Sequence, residues 1–223
     1  MVQFAPIFPI IHPVLKTIFP HCLWQGSSQS NEIALTFDDG PHPQYTPELL
    51  QVLDEYQIPA SFFWLGCCVE RFPQIAKSIY QRGHWMGLHG YQHVSFPRLN
   101  LSQLKESLIR TQNAIHHACD LAPEFVVDVR PPNGLFTPQV LTQLQQWKYR
   151  PVMWTVVPED WVHPGVKTVV QRVMKQTVFG SIIVLHDGEY GGKDVAKTVE
   201  ILIPKLLERG YEFVTIDRLW QQH

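Results

Sequence analysis

Thr36-Phe37-Asp38-Asp39-Gly40-Pro41 is the stretch that decides the fold, because it places two neighbouring acids at the end of an apolar run. The run from Ile33 to Phe37 is typical of a strand. Side chains alternate along a strand, so Asp38 and Asp39 are expected to project in different directions from one rim. One acid could then bind a metal ion while the other stays ionised and accepts a proton. Taken alone, the stretch favours the alternative, a plain Asp-Asp-Gly-Pro turn.

The composition is that of a globular protein. The 223 residues are 45% hydrophobic and 17% charged, which provides enough apolar material for a substantial core in one large domain or two small ones. A net charge of −2, without a basic run, gives no indication of a nucleic-acid partner. The cysteines form neither a disulfide framework nor a zinc-ribbon pattern, and all four are expected to be small buried hydrophobic residues: Cys22, Cys67, Cys68 and Cys119.

Strand and helix patterns alternate from residue 33 to the end of the chain. The alternation predicts a parallel sheet with crossover helices, either a closed barrel or an open doubly wound sheet. In both, chemistry collects at the carboxyl ends of the strands. Thr46 is predicted to cap the first of these helices. The predicted strands cover 33–37, 61–65, 85–89, 125–130, 151–156, 181–185 and 212–216, and the predicted helices cover 46–56, 73–82, 102–118, 137–147, 166–177 and 193–209.

The first 24 residues are strongly apolar but contain four prolines and one lysine, Lys16. They lack the basic start and uninterrupted apolar core of a secretory signal, and the prolines interrupt any membrane span. We therefore expect residues 1–32 to form an N-terminal segment that packs on the outside of a single domain over 33–223. A peripheral membrane contact through residues 1–24 is the less favoured alternative.

The third predicted strand leads into His89-Gly90-Tyr91-Gln92-His93. Histidines four residues apart share one face of a helical turn, the spacing that lets two imidazoles reach one ion. With Asp39 they would form a set of two histidines and one carboxylate that leaves positions open for water or substrate. The alternative is an ordinary pair of exposed or core histidines, which the eleven histidines of the chain make plausible.

Three further polar groups follow later strands. Arg130 precedes Pro131-Pro132-Asn133-Gly134 and would hold a carboxylate such as Asp38 ionised, unless it is simply solvated. Asp160-Trp161 would supply another carboxylate and an apolar wall, with core packing as the alternative for Trp161. His186 leaves an apolar strand and is a candidate general acid, with Asp160 as the partner that fixes its tautomer.

Together the segments Thr-Phe-Asp-Asp-Gly, His-x-x-x-His, Arg-Pro-Pro-x-Gly, Asp-Trp and Leu-His-Asp resemble, in this order, the five motifs of the polysaccharide deacetylases (NodB-homology domain, carbohydrate esterase family 4). The resemblance covers about residues 33 to 216. It implies an α/β fold, a distorted (β/α) barrel of about seven parallel strands, with 33–223 as the catalytic domain. It also implies one divalent metal ion, most often zinc, on Asp39, His89 and His93, and cobalt, nickel or iron would suit the same ligands.

The resemblance also assigns roles. Asp38 would be the general base, tuned by Arg130, and His186 would be the general acid, oriented by Asp160. Trp161 would line the acetyl pocket. Two substrate contacts are added from the residues themselves: a backbone N–H near Asn133 for the oxyanion and Tyr190 in the loop after His186. The family usually has Ser or Thr at Gly90 and an aromatic residue at Asn133, and these departures bear on substrate preference.

The predicted function is metal-dependent hydrolysis of the N-acetyl group of an N-acetylglucosamine-containing glycan, peptidoglycan or chitin-like, with release of acetate. The expected partner is an acetylated glycan and not a nucleic acid. Three alternatives stay open: an O-acetyl esterase on xylan-type glycans, an amidase on a small cyclic amide, and a non-catalytic glycan-binding relative. A cell-wall substrate implies the cell envelope or periplasm, although residues 1–24 show no ordinary export signal.

Overall fold

Strands and helices alternate along the chain in the computed structural model, which describes residues 8–122 and 125–223, with side chains from residue 12 onward. The strands are β1 Glu32–Asp38, β2 Ser61–Trp64, β3 Trp85–Leu88, β4 Asp128–Val129, β5 Arg150–Pro151, β6 Ile182–His186 and β7 Glu212–Val214. The helices are α1 Phe8–Ile18, α2 Tyr45–Tyr56, α3 Gly66–Arg71, α4 Pro73–Gln81, α5 Leu101–Cys119, α6 Pro138–Gln146, α7 Val166–Gln176, α8 Val195–Glu208 and α9 Ile216–Trp220.

All strand pairs are parallel, and the spatial order is β5-β4-β3-β2-β1-β6, with β7 paired to the first half of β1. Beyond β5, an isolated parallel bridge joins Val156 to Ile183 of β6. This bridge links the far edge of the sheet to β6, so the sheet curls into a distorted barrel. The predicted (β/α) barrel of about seven parallel strands is confirmed, and the open doubly wound sheet is not formed.

Alternation along β1 separates the core from the site. Ile33, Leu35 and Phe37 point outward into the apolar layer under the helices, among residues such as Leu49 of α2. Ala34 points inward and packs with residues of the other strands. Thr36 and Asp38 have the same parity as Ala34, so the alternation places the Asp38 carboxylate inside the barrel, at its carboxyl-end mouth.

The N-terminal segment contributes to this barrel. Helix α1 passes through Pro13, and the Phe19 ring then packs edge-on against Phe136 with centroids 5.1 Å apart. Leu23 is fully buried and is hydrogen-bonded like a strand residue, from its N–H to the Pro151 carbonyl and from the Met153 N–H to its own carbonyl. Residues around Leu23 therefore lie within the core, and the boundary at residue 32 stays a prediction. Within the described part of the chain, no helix is long and apolar enough to cross a membrane.

Two local expectations are wrong. Thr46 does not cap α2, which begins one residue earlier; its hydroxyl donates a hydrogen bond to the Asp187 carboxylate instead. The fourth and fifth strands are two residues long, much shorter than the predicted 125–130 and 151–156. Proline lacks the N–H that a sheet requires, and Pro131 and Pro151 stand at or just beyond the ends of these two strands.

A buried ion pair at the amino end of the barrel yields a stability prediction. The Arg150 guanidinium donates two hydrogen bonds of 2.8 and 2.9 Å to the fully buried Asp128 carboxylate, which also accepts one from the Trp85 indole. Arg150→Met leaves this carboxylate buried without its guanidinium partner. We expect the free energy of unfolding to fall by about 3 kcal/mol. This is the low end for a broken buried ion pair, because Arg150 is 33% exposed.

Arg82→Met is the matched control for Arg150→Met. It breaks the pair between Arg82 and Asp54, whose side chains are 38% and 48% exposed. We expect the free energy of unfolding to fall by less than about 1 kcal/mol in this variant. Urea unfolding of both variants measures the two losses. Equal losses would contradict a structural role for the Asp128 pair.

Candidate metal centre and active site

The polar side chains of the site come from the carboxyl ends of four parallel strands. Asp38 ends β1 and Asp39 follows it, His89 follows β3, Arg130 follows β4, and His186 ends β6. These strand ends share one rim of the barrel, so residues far apart in sequence meet there.

A left-handed turn separates the two neighbouring acids. Asp39 has a φ of 74°, so its carboxylate points away from that of Asp38. The turn rests on the buried Asp187, whose N–H donates to the Asp38 carbonyl and whose carboxylate accepts a 2.5 Å hydrogen bond from Thr46. A Cβ atom at Gly40 would collide with the Asp187 carboxylate, so glycine is required there. Burial, reinforced by the two neighbouring acids, raises the pKa of Asp187 to about 7.

Asp39, His89 and His93 form a cluster that could hold a metal ion, because each offers a ligand atom and these atoms lie within 4.8 Å of one another. Oδ1 of Asp39 lies 3.4 Å from Nε2 of His89 and 3.5 Å from Nε2 of His93. This oxygen is buried and has no hydrogen-bond donor among the described residues. An orphaned carboxylate oxygen facing two imidazole nitrogens fits a divalent cation.

The environment of His89 prepares its Nε2 atom as a ligand. Its Nδ1 lies 2.7 Å from the Arg130 carbonyl, which can only accept, so Nδ1 carries the proton and Nε2 is free to ligate. Burial lowers the pKa of His89, and the Asp38 and Asp39 carboxylates offset this in part. A neutral imidazole is the form that binds metal.

The two histidines do not lie on a helical turn, so that part of the prediction is wrong. The chain from His89 to His93 is an irregular bend. Gly90 has a φ of 82°, and this left-handed residue turns the chain so that His93 faces back toward Asp39. His93 is the more open member of the cluster, with 36% of its side chain exposed against 2% for His89.

Asp38 is held by Arg130, which lies inside the barrel and is fully buried. Nη1 of Arg130 donates to Oδ1 of Asp38 at 2.6 Å and to the Thr36 hydroxyl at 2.8 Å. Nη2 donates to the Met153 carbonyl, and the guanidinium lies 4.0 Å from the centre of the Phe63 ring. The other carboxylate oxygen of Asp38 lies 3.9 Å from Nε2 of His89, so this acid borders the cluster without belonging to it.

His186 and Asp160 form a second, separate pair at the rim. One Asp160 oxygen lies 2.9 Å from Nδ1 of His186, and the other accepts the His186 backbone N–H at 2.8 Å. Burial alone would lower the pKa of His186, but the Asp160 carboxylate, with smaller contributions from Asp39 and Asp38, raises it to about 10. The ring therefore carries a proton at neutral pH. Trp161 packs edge-on against it, with ring centroids 5.2 Å apart.

Residues absent from the sequence prediction support the Asp160 loop. Arg172 of α7 donates to the Pro158 carbonyl and to the buried Glu159, whose φ of 58° turns the chain just before Asp160. Gln176, one turn further along α7, pairs with the backbone of Val157. These contacts could not be predicted from the sequence, because polar residues such as Arg172 and Gln176 are equally expected on a helix face that is exposed to solvent.

The proposed substrate contacts lie around this rim. Asn133 has a φ of 59°, and its side chain donates to the Ser95 hydroxyl. This bond ties the loop after β4 to the histidine loop, which covers residues 89–95. Tyr190 is 69% exposed on the loop after β6. The structure thus brings Asp38, Asp39, His89, His93 and Arg130 into direct contact, sets His186 with Asp160 and Trp161 nearby, and leaves the contacts of Asn133 and Tyr190 with substrate as predictions.

Comparisons with known proteins agree with this picture. Residues 25–152 match the family model described as polysaccharide deacetylase. A peptidoglycan-N-acetylglucosamine deacetylase of Bacillus cereus is 33% identical over 201 residues, which are 88% of this chain and 91% of the relative. A chitooligosaccharide deacetylase of Bradyrhizobium sp. is 31% identical over 230 residues, 98% of this chain and all of the relative.

A solved structure has the same fold over nearly the whole chain. It is the Bc1960 peptidoglycan N-acetylglucosamine deacetylase in complex with 4-naphthalen-1-yl-N-oxidanyl-benzamide. The TM-score is 0.88 at 27% identity, and the match covers 95% of this chain and 98% of the other.

The His186–Asp160 pair yields a prediction of pH dependence for the protein after any bound metal has been removed with a chelator. The folded pKa of about 10 lies above the ordinary value of 6.5, so the pair stabilises the folded state in full below pH 6.5 and loses that contribution as the pH rises through 10. Asp160→Asn removes the carboxylate, and the pKa of His186 should then fall by several units. NMR titration of the ring measures this shift. In parallel, the stability difference between wild type and variant should shrink between pH 6.5 and 10.

Glu189→Gln serves as the control for Asp160→Asn. Glu189 carries a carboxylate on the neighbouring loop, but 78% of its side chain is exposed. We expect the His186 titration to stay where it is in this variant. A midpoint that Asp160→Asn leaves unmoved would show that the ion pair does not set the protonation of His186.

Proposed function

The chain belongs to the polysaccharide deacetylase family, and we propose that it is a metal-dependent hydrolase that removes the N-acetyl group of N-acetylglucosamine units in a glycan and releases acetate. The substrate class is peptidoglycan or a chitin-like oligomer, which are the substrates named for its relatives. The resemblance seen in the sequence is therefore confirmed at the level of the family.

One observation carries the proposal. A charge-paired acid, Asp38, stands beside the cluster of Asp39, His89 and His93, while a protonated histidine, His186, lies at the same rim. Amide hydrolysis needs a base for the attacking water and an acid for the leaving nitrogen. The site offers both, together with the ligands for a cation.

We assign the cation to Asp39, His89 and His93, with zinc as the favoured metal because two imidazoles and a carboxylate suit it. A divalent cation held there would polarise the acetyl oxygen and lower the pKa of a water molecule. Cobalt, nickel and iron suit the same donor set, and metal analysis of the purified protein discriminates among them.

Asp38 accepts the proton of the attacking water in this proposal. The Arg130 guanidinium donates a charge-assisted hydrogen bond of 2.6 Å to Oδ1 of Asp38. The same bond fixes the carboxylate in place, because Arg130 is itself held by Thr36 and the Met153 carbonyl. The second oxygen of Asp38 is left to face the water.

His186 donates a proton to the nitrogen of the leaving amine. Asp160 occupies Nδ1, so the proton for transfer is on Nε2, which is the nitrogen left to face the substrate. Trp161 packs against the same ring and provides an apolar wall for the acetyl methyl group. A backbone N–H near Asn133 stabilises the oxyanion that forms on the substrate.

A panel of acetylated substrates with and without chelator tests the function. We expect acetate release from peptidoglycan or N-acetylated chitooligosaccharides, loss of that release after treatment with chelator, and recovery when zinc is added back. Enzymatic assay of free acetate measures all three. Release from acetyl-xylan but not from the N-acetylated substrates would replace the amidase assignment by the O-acetyl esterase alternative.

Two substitutions distinguish the proposed general base from a proposed metal ligand. Asp38→Asn removes the proton acceptor but no proposed ligand, so the variant should bind metal like the wild type while its turnover falls by about 10²-fold or more. His89→Ala removes a ligand and should lose both metal and turnover. Metal content after dialysis and acetate release are measured on the same samples.

Asp54→Asn is the matched control for Asp38→Asn, since Asp54 is an exposed acid of α2 far from the rim. It should behave like wild type in both measurements. Turnover of Asp38→Asn near the wild-type rate would reject Asp38 as the base. Full metal content in His89→Ala would reject His89 as a ligand.

A further inference from the structure

Two adjacent cysteines at the start of α3 depart from the sequence prediction. Cys22 and Cys119 are buried, as expected, whereas Cys67 and Cys68 are both partly exposed. They follow β2 and therefore lie near the carboxyl-end rim of the barrel. The proposed deacetylation uses neither thiol.

The two thiols are free and stand on consecutive residues. The Cys68 thiol donates a hydrogen bond to the Cys67 sulfur, and this bond, against the effect of burial, lowers the pKa of Cys67 to about 7. The same bond and burial raise the pKa of Cys68. Cys67 is consequently the better nucleophile, since the thiolate is the reactive form, and a second sulfur lies within reach of whatever it binds.

The backbone of this dithiol is attached to the histidine loop. Gly66 donates its N–H to the Gly90 carbonyl at 3.0 Å, and Cys67 donates to the Tyr91 carbonyl at 2.9 Å. Both acceptors lie between His89 and His93. A change in the first turn of α3 therefore acts directly on the segment that carries two proposed ligands.

Geometry favours a bridging atom over a direct disulfide. Consecutive Cα atoms are about 3.8 Å apart across a trans peptide, which is shorter than the roughly 4.4–6.8 Å that disulfides usually span. A direct bond would require the helical turn to distort. A soft atom bonded to both sulfurs leaves them apart, so it suits two free thiols on consecutive residues.

We propose that Cys67 and Cys68 form a vicinal-dithiol site for trivalent arsenicals, and that its occupation weakens cation binding at Asp39, His89 and His93. With phenylarsine oxide, two sulfur–arsenic bonds form and the arsenic–oxygen bond breaks. The two thiol protons leave with that oxygen as water. Arsenic stays trivalent, so the step needs no oxidant.

Occupation acts through the backbone of α3. The bridge constrains the first turn of α3, where the Cys67 N–H donates to the Tyr91 carbonyl. Loosening of this bond and its neighbour displaces the histidine loop. We expect about a tenfold loss of cobalt affinity, the size of effect typical when contacts behind metal ligands are disturbed.

The test adds equimolar phenylarsine oxide to the full chain, followed by desalting, intact mass measurement and counting of free thiols. Wild type should carry one adduct and lose two thiols, and 2,3-dimercaptopropanol should restore both. Cys67→Ser and Cys68→Ser should retain no adduct, because one thiol holds arsenic weakly. Cys22→Ser and Cys119→Ser are matched controls that should behave like wild type. Circular dichroism of each variant verifies folding.

Calorimetric titration with cobalt then compares the wild-type adduct with the Cys67→Ser/Cys68→Ser double variant. Four results overturn the proposal: no adduct on folded wild type, an adduct kept by the double variant, a mass loss of two hydrogens without arsenic, or unchanged cobalt affinity in the adduct. These readouts do not involve turnover. A failed substrate assay would leave the dithiol result standing, and the reverse also holds.

Discussion

The ion pair between Arg130 and Asp38 inside the barrel is the constraint on which the site depends. Removing two charges from water costs several kcal/mol for each ion, and apolar residues of similar size often stabilise a core equally well. Thr36 and the Met153 carbonyl offset part of this cost by accepting further guanidinium protons. A pair of this kind is weak evidence for stability. Its position at the mouth, with the second Asp38 oxygen 3.9 Å from Nε2 of His89, supports the role proposed for Asp38.

Two neighbouring acids have different partners because the backbone separates them. Strand alternation turns Asp38 into the barrel, and the positive φ of Asp39 turns the next carboxylate toward the two imidazoles. Without this division, a cation and a guanidinium would compete for the same oxygens. Asp187 supports the turn from below, and its close approach to Gly40 explains why a residue with a side chain is excluded there.

Much of this arrangement could be predicted from the sequence. The period of the apolar residues predicted a parallel sheet with crossover helices, and the resemblance to the family implied the barrel. Each polar motif follows a predicted strand, so their meeting at one rim follows from parallel topology. The local backbone conformation and the hydrogen-bond partners were harder to predict. Gly90 in a left-handed conformation replaces the expected helical turn between His89 and His93, and Thr46 bonds Asp187 instead of capping α2. The support from Arg172 and Gln176 depends on how α7 docks, which no local pattern encodes.

The carboxyl-terminal residues are anchored at the face opposite the mouth. Gln222 bonds Ser27 and the Glu32 carboxylate, at the position where β1 begins. A bead or a second protein joined to this carboxyl-terminal end would therefore lie behind the barrel. An immobilised form of the protein would keep its opening directed away from the support, free to meet a polymer too large to diffuse.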